Sequence, residues 1–427
     1  MKRLLSTLLS VGLIITTLTA CSSSVSTSQS GTAAAGNEEH VTLKIMAENS
    51  DQLVSDMFKA RIAQFTEIHP NVTVELEELT FSDFPTKLNL AFTGGVAPDI
   101  ICGAISNIAN GVARGQYEPL GEYISNWSDK DDILDGLYEM GTYQGELYGI
   151  PYNLAPQLLV YRKDFFEEAG LDPEKAPSTW EKILDAAQKT MKEENGNIVR
   201  SGFSVSVDGT FNPIMFARTN GADLFDEDTG KYTVNTPEFI EAAEYVAELQ
   251  KTSMAVNSQL ENSQHPMTTG NAAMSLIPVG KLKTWLQDVP DMADKIGFII
   301  PEHKQASAWS GANYMHLSAQ SKHKELAWEF IEMCFSEENI RSNFTDYGLA
   351  NVRKSLQDEY KEQNPVFADA MEAAIACGKG ANKVTNFNLG SAKLLVPAMQ
   401  EIYYGSKTAE QALNDAAAQY EQTVQTG

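Results

Sequence analysis

Positive charge is scarce in this sequence: 32 lysines and arginines face 57 aspartates and glutamates, for a formal net charge of −25. Gripping nucleic acid or an anionic membrane surface needs clustered cations, so neither is an expected partner. The acidity itself reads as a solubility device. Cysteine is scarce too, with four in 427 residues and no CxxC pair, which excludes a disulfide framework and a zinc site. Beyond Cys21 there remain Cys102, Cys334 and Cys377, enough for one disulfide or for free thiols. The six histidines (40, 69, 265, 303, 316 and 323) have no metal-ligand spacing, and GxSxG and HExxH are absent. No metal and no cofactor are therefore expected. The chain has no internal repeat and no coiled-coil run.

Long apolar runs are missing but for one. Leu4 to Leu18 is uncharged, follows Lys2 and Arg3, and is too short to span a bilayer comfortably. It ends in Leu18-Thr19-Ala20-Cys21, which resembles a bacterial lipobox, where a cysteine is acylated and becomes the new N-terminus. An ordinary secretory signal with a chance cysteine is the alternative. Ser22 to Asn37 has no aromatic and no charge, so it cannot offset the entropy of ordering and reads as a tether. Residues 1–20 are thus expected to be a signal peptide and 21–40 a tether from lipidated Cys21. The rest would work outside the cytoplasm, meeting the membrane through the lipid alone.

With 43% apolar and 9% aromatic residues, the remainder can build proper cores and is long enough for two domains. "VTLKIMA" (41–47) alternates as a strand, and Leu53, Met57, Ala60, Ile62 and Phe65 recur with helical spacing up to Pro70. "VTVELEEL" is a second strand, "FPTKLNLAFTGG" a helix stopped by glycines, and "PDIIC" a buried strand. Strands separated by helices pair in parallel, hence an α/β fold. Further helices are expected from Ser178 and Glu181, in capping-box spacing, to Gly196, and from Thr236 with Pro237 at the first helical position. "SKHKELAWEFIEMCFS" and "KTAEQALNDAAAQYEQ" add two more, while Trp180, Trp285 and Trp328 fall in helical patterns as core residues.

Six patterns occur in order: "AFTGGVAPDII", "LYGIPYN", "LLVYRKDFFEEAGLDPEKAPSTWEKIL", "MTTGNAAMSLIPVG", "SAQSKHKELAWEFIEMC" and "YYGSKTAEQALNDAA". Together they resemble the family-1 extracellular solute-binding proteins of ABC importers, the maltose-binding-protein-like group, over roughly residues 41 to 420. Two departures stand out. Arg162 replaces an asparagine, and Pro278-Val279-Gly280 replaces a Gly-x-Trp that often supplies a sugar platform. The resemblance implies a two-lobe, type II periplasmic-binding-protein fold with a ligand cleft between hinged lobes. The lobes would be 41–153 plus 311–364 and 154–310 plus 365–427, with crossings near Asn153 and near Trp309 to Gly311. It also implies a monomer that hands a carbohydrate, expected to be an oligosaccharide, to permease subunits, with tethering raising its local concentration.

Sugars offer hydroxyls and apolar ring faces, so the candidate contacts are amides, carboxylates and aromatics. Asn49 and Ser50 follow the first strand, where open α/β sheets place ligands, and Ser106 and Asn107 follow "PDII" likewise. Phe81 and Asp83 follow the second strand; Tyr152 and Gln157 flank the first crossing; Phe211 and Asn212 precede a helix. Trp309, Asn313 and Tyr314 flank the second crossing, and Phe387 lies in "NFN", a C-terminal segment matching a family ligand loop. Competing roles exist for each: Asn49 and Ser106 as helix caps, Asp83 as a turn residue, Tyr152 and Phe211 as core. Trp309, in a polar "AWSGAN" stretch, is the leading aromatic. A polysaccharide hydrolase is the rival class, since two carboxylates suffice for it and acidic residues abound. A sensory role, and polyamine, metal or phosphate-ester ligands, stay open; neutral oligosaccharides rank first because arginines do not cluster in the candidate segments.

Overall fold

The computed structural model describes residues 40–426 except 50, 81–82, 135, 258–264 and 382. The signal segment, Cys21, the tether, Ser50 and Phe81 lie outside the described residues. The first strands form where the sequence alternates: β1 is Val41–Glu48, β2 Val72–Leu79 and β3 Ile100–Ala104. Both β2 and β3 pair with β1 in parallel. The connections are α1 (Gln52–Ile68) and α2 (Phe84–Thr93), the latter stopped by Gly94 and by Gly95 at a φ of +69°. Helices cover both faces of these strands. Leu43, Ile45 and Ala47 pack in the main core with Val54, Met57 and Phe58 of α1, while Met46 and Ile101 face Phe84, Leu88 and Phe92 of α2.

The buried stripe of α1 differs from the expected one. It runs Val54, Met57, Phe58, Arg61 and Phe65, and leaves Leu53, Ala60 and Ile62 half-buried. The helix is rotated because Arg61 is drawn inward, donating to the Asn339 carbonyl and to Asn343 Oδ1, both at 2.8 Å. The helix expected from Ser178 to Gly196 is also shorter. It is α4 (Trp180–Thr190), capped by Thr179, whose side chain accepts the Lys182 N–H, not by Ser178. Residues Lys192–Glu194 form strand β5, which folds back on β6 (Asn197–Phe203). Asn195 and Gly196, both at positive φ (54° and 78°), make the tight hairpin turn that ends the helical run.

The long strand between β3 and β5 organises the rest. It is β4 (Ile150–Arg162), joined by β7 (Ala272–Pro278), β8 (Ile296–Ile299), β9 (Ala308–Leu317) and β10 (Gly378–Lys379). Among the described residues these make one ten-stranded sheet with the order β2-β1-β3-β9-β4-β7-β6-β5, β8 also pairing with β4 and β10 with β9. From Ile150 to Gln157, β4 pairs with β9; from Gln157 to Tyr161 it pairs with β7. Gln157 is where the strand changes partner, opposite Trp309 on one side and Pro278 on the other. The fold is thus two α/β lobes sharing the crossing strands β4 and β9.

Further helices complete the second half: α5 (Phe211–Thr219), α6 (Pro237–Gln250) and α7 (Val279–Asp288). The helix α8 (Lys324–Cys334) packs on β9 and α1. A third crossing follows α9 (Ala368–Cys377): Tyr360 and Met371 pack together before it, and Phe387 packs on Phe225 after it. The last helix is α10 (Ala409–Thr426). Trp180, Trp285 and Trp328 are all buried. Cys102 and Cys334 are buried free thiols, and Cys377 is a half-buried one. No helix among the described residues is long and apolar enough to cross a membrane.

Candidate functional site

The middle of the sheet has one face that no helix fills. In β4, half-buried Asn153, Ala155 and Gln157 alternate with buried Tyr152, Leu154, Pro156 and Leu158. The register sets Asn153 opposite Asn313, Ala155 opposite Gly311 and Gln157 opposite Trp309. Directly paired residues share a face, so three amides and an indole form one floor. Among the described residues, no side-chain hydrogen bond engages Asn153, Gln157 or Asn313. A cavity of about 780 Å³ includes Asn153 and Ala155 and is walled by Asp51 and Gln52 at the start of α1 and by Gly280 and Trp285 of α7. A smaller one, about 210 Å³, is lined by Ser106, Asn107 and Tyr117, with Asn386 and Asn388 from the far end of the chain.

At the carboxyl end of β1 sits a carboxylate. Glu48 Oε2 accepts Asn107 Nδ2 at 2.6 Å and the Ala104 N–H at 3.3 Å. Burial pushes its pKa up to about 7, against the lowering effect of those two donors. Glu48 therefore holds the Asn107 amide that lines the smaller cavity. Asn49, beside it, is used locally: its Nδ2 donates to Glu78 Oε1 at 2.6 Å and its Oδ1 accepts the Asp51 N–H at 2.9 Å. Asp51 then caps α1 through Leu53. Asp83 is exposed and accepts Thr80 Oγ1 at 2.8 Å within its own turn.

The aromatic side is built by α5. Phe211 opens that helix, is 39% exposed, and meets the Trp309 ring at 4.8 Å in an edge-on contact. Trp309 itself is 7% exposed, so Phe211 offers the freer face. Asn212 is buried with Oδ1 unpartnered among the described residues. Tyr152 packs on Phe58 at 5.5 Å, Tyr314 is fully buried, and Phe387 packs on Phe225 at 6.2 Å. Those three rings belong to the core: Tyr152 and Tyr314 fall on the covered side of their strands, and Phe387 is buried against Phe225. The structure thus brings together Gln157, Asn313, Trp309 and Phe211, places Ser106 on the smaller cavity, and sets Tyr152, Tyr314 and Phe387 apart from them.

Asn153 and Trp285 escaped the sequence reading as residues lining the larger cavity, and Glu48 as the support of Asn107. Asn153 could have been found, since it shares the strand parity of Gln157. Glu48 could not, because its neighbours Ala104 and Asn107 are remote in sequence. The departures from the family pattern have local explanations: Arg162 pairs with Asp164 and stacks on Phe165 at 4.1 Å, and Pro278 caps the start of α7 beside the floor. Among the described residues, no group of three or more potential ligating side chains could hold a metal ion.

Comparison with known proteins gives a consistent picture. The model of the bacterial extracellular solute-binding protein family matches residues 52–340. An arabinooligosaccharide-binding protein of Halalkalibacterium halodurans is 28% identical over 332 residues, spanning 74% of this chain and 71% of that protein. An ABC transporter solute-binding protein from Thermotoga lettingae, bound with α-D-tagatose, superposes with a TM-score of 0.77 at 24% identity, over 88% of this chain and 98% of that one. An ABC substrate-binding protein from Listeria monocytogenes in complex with cycloalternan gives 0.75 at 21% identity, over 90% and 99%. At these identities the solved structures speak for the fold.

Proposed function

Because the chain belongs to the bacterial extracellular solute-binding protein family, we propose that it captures an uncharged oligosaccharide between its lobes and delivers it to an ABC importer. The observation that carries this reading is the floor of unengaged amides at Asn153, Gln157 and Asn313 beside the Phe211–Trp309 pair. Amides donate to and accept from hydroxyls, and an aromatic face suits a sugar ring, so the floor matches a polyhydroxylated ring compound. The guanidinium beside it, Arg218, commits its N–H groups to Asp223 and to the carbonyls of Lys379 and Gly380, leaving no fork for a phosphate. The relatives' arabinooligosaccharide, tagatose and cycloalternan ligands support the sugar class.

In this reading the ligand contacts are Ser106, Asn107, Asn153, Gln157, Phe211, Asn212, Trp309 and Asn313, with Asn49 and Asp83 shaping the first lobe's rim. The lobes are 41–153 plus 311–377 and 154–310 plus 378–427, the last boundary moved from 364/365 to the third crossing because Met371 packs on Tyr360, and they close over the ligand by bending at the crossings. The protein is a monomer and performs no chemistry on its cargo. Membership in an extracellular family supports work outside the cytoplasm, and the Leu18–Cys21 motif supports a lipid anchor on Cys21. The Cys21→Ala protein should then appear in the medium or periplasm; retention on washed membranes would refute the anchor.

Ligand binding raises stability by mass action, so a thermal-shift screen with arabinotriose, mannotriose, maltotriose, spermidine and glycerol 3-phosphate tests the class directly. Stabilisation by a sugar, recovered unchanged, is the expected result. Stabilisation by spermidine or glycerol 3-phosphate alone would overturn the sugar reading, and a shortened sugar would revive the hydrolase.

A further inference from the structure

Phe211 and Arg218 stand seven residues apart on α5, two turns along one face, and both touch Trp309. The Arg218 guanidinium carbon lies 5.2 Å from the Trp309 ring centre, within cation–π range. Its edges are spent elsewhere. Nε donates to Asp223 Oδ2 at 3.0 Å, Nη1 to the Lys379 carbonyl at 2.6 Å, and Nη2 to the Gly380 carbonyl at 2.7 Å. Arg218 is 3% exposed, and its own carbonyl accepts Gln305 Nε2 at 2.7 Å. A single buried cation therefore ties helix, indole and third crossing together.

That crossing is threaded tightly. Lys379 pairs with Trp309 in β9, and a β-carbon on Gly380 would stand 2.6 Å from the Ser310 carbonyl oxygen and 3.3 Å from Ile105 Cγ2. Only glycine passes there without displacing backbone. Ile105 directly precedes Ser106 and Asn107, which line the smaller cavity. The backbone that Arg218 grips thus runs from the aromatic end of the cleft to its amide end.

We propose that Arg218 is a positioning residue of the cleft, locking the third crossing to α5 and so fixing how Phe211 and Trp309 meet the ligand. The inference rests on the sugar-capture reading for its ligand, and on geometry alone for the lock. Lysine cannot replace the arginine here: one ammonium cannot satisfy two carbonyls and a carboxylate in a plane while stacking on an indole. The unpaired carbonyls of Lys379 and Gly380 would then draw in water and loosen the segment.

The test uses Arg218→Lys and Arg218→Met in the whole chain, each also in a Trp309→Phe background. Without ligand, Arg218→Lys should raise acrylamide quenching of the Trp309 contribution, obtained by subtracting the Trp309→Phe background, and speed amide hydrogen exchange at 378–380. With arabinotriose, mannotriose or maltotriose, whichever binds the parent protein, affinity should fall about tenfold, the size of a lost charge-assisted hydrogen bond. Arg218→Lys and Trp309→Phe together should cost less than the sum of their separate losses, since they break one assembly. A lowered melting temperature with unchanged Trp309 quenching and unchanged exchange at 378–380 would show a merely structural ion pair and overturn the proposal, as would strictly additive affinity losses. If none of the three sugars binds even the parent protein, the sugar reading fails; quenching and exchange still decide the role of Arg218.

Discussion

The two halves of β4 obey different rules. From Leu158 to Arg162 every residue is buried, the mark of a strand covered on both faces. From Tyr152 to Gln157 the burial alternates, and the open side carries amides. One continuous strand therefore serves as core at one end and as cleft floor at the other, and the change falls at Gln157, where its partner changes from β9 to β7. The contrast teaches that this cleft is a stretch of sheet left uncovered, with stability invested on one side of Gln157 and recognition on the other.

The sharpest break is at the buried half. Leu159 is 2% exposed, and Leu159→Ala should cost about 2–5 kcal/mol of stability in denaturant melts, while the remaining folded protein binds its sugar with unchanged affinity. A loss of affinity in that folded fraction would blur the division. The next largest effect belongs to Glu48 on the cleft side. Its folded-state pKa is raised from 4.5 to about 7, so the folded protein holds that proton more tightly than the unfolded chain. Stability from this group is greatest below pH 4.5 and declines as pH climbs through 7. Glu48→Gln, which keeps an acceptor for Ala104, should stabilise the protein at pH 8 by on the order of 3 kcal/mol relative to its effect at pH 4. Equal shifts at both pH values would mean the carboxyl is not desolvated.

Smaller effects probe the open half. Phe211→Ala should weaken sugar binding by about 1–3 kcal/mol by calorimetry with little change in melting temperature, because the ring is already 39% exposed. A large stability loss with intact affinity would return Phe211 to the core. Gln157→Ala should be the mildest, losing about 0.5–1.5 kcal/mol of affinity and almost no stability. If its stability loss matched that of Leu159→Ala, the two halves of the strand would not be distinct.

Much of the architecture was legible in the sequence because alternation and helix caps are local. The strands β1, β2 and β3 and the glycine stop of α2 follow from spacing alone. The rotation of α1 was not legible, since it depends on Arg61 reaching Asn339 and Asn343, nearly three hundred residues away. Nor was the early end of α4, where helix-forming Lys192 to Glu194 is overruled by the hairpin turn at Asn195-Gly196. At the site, Gln157 and Asn313 were candidates because they flank the crossings, and the register sets each on the half-buried side of its strand. The aromatic candidates divide: Phe211 and Trp309 meet beside the floor, whereas Tyr152, Tyr314 and Phe387 suit a core and a sugar platform equally by composition. Only the pairing register and the packing against Phe58 and Phe225 separate the two roles.

The ends of the strand order carry a consequence of another kind. Strand β2 closes one end with exposed Glu75 and Glu77, and β5 closes the other with three exposed charged residues, Lys192, Glu193 and Glu194. An open strand edge is a template on which another chain can add, and charges along it frustrate that addition. Copies of this protein crowded side by side would meet charge where they could otherwise polymerise, and with a net charge of −25 they would repel before touching. The molecule can thus be concentrated without its sheets growing into one another.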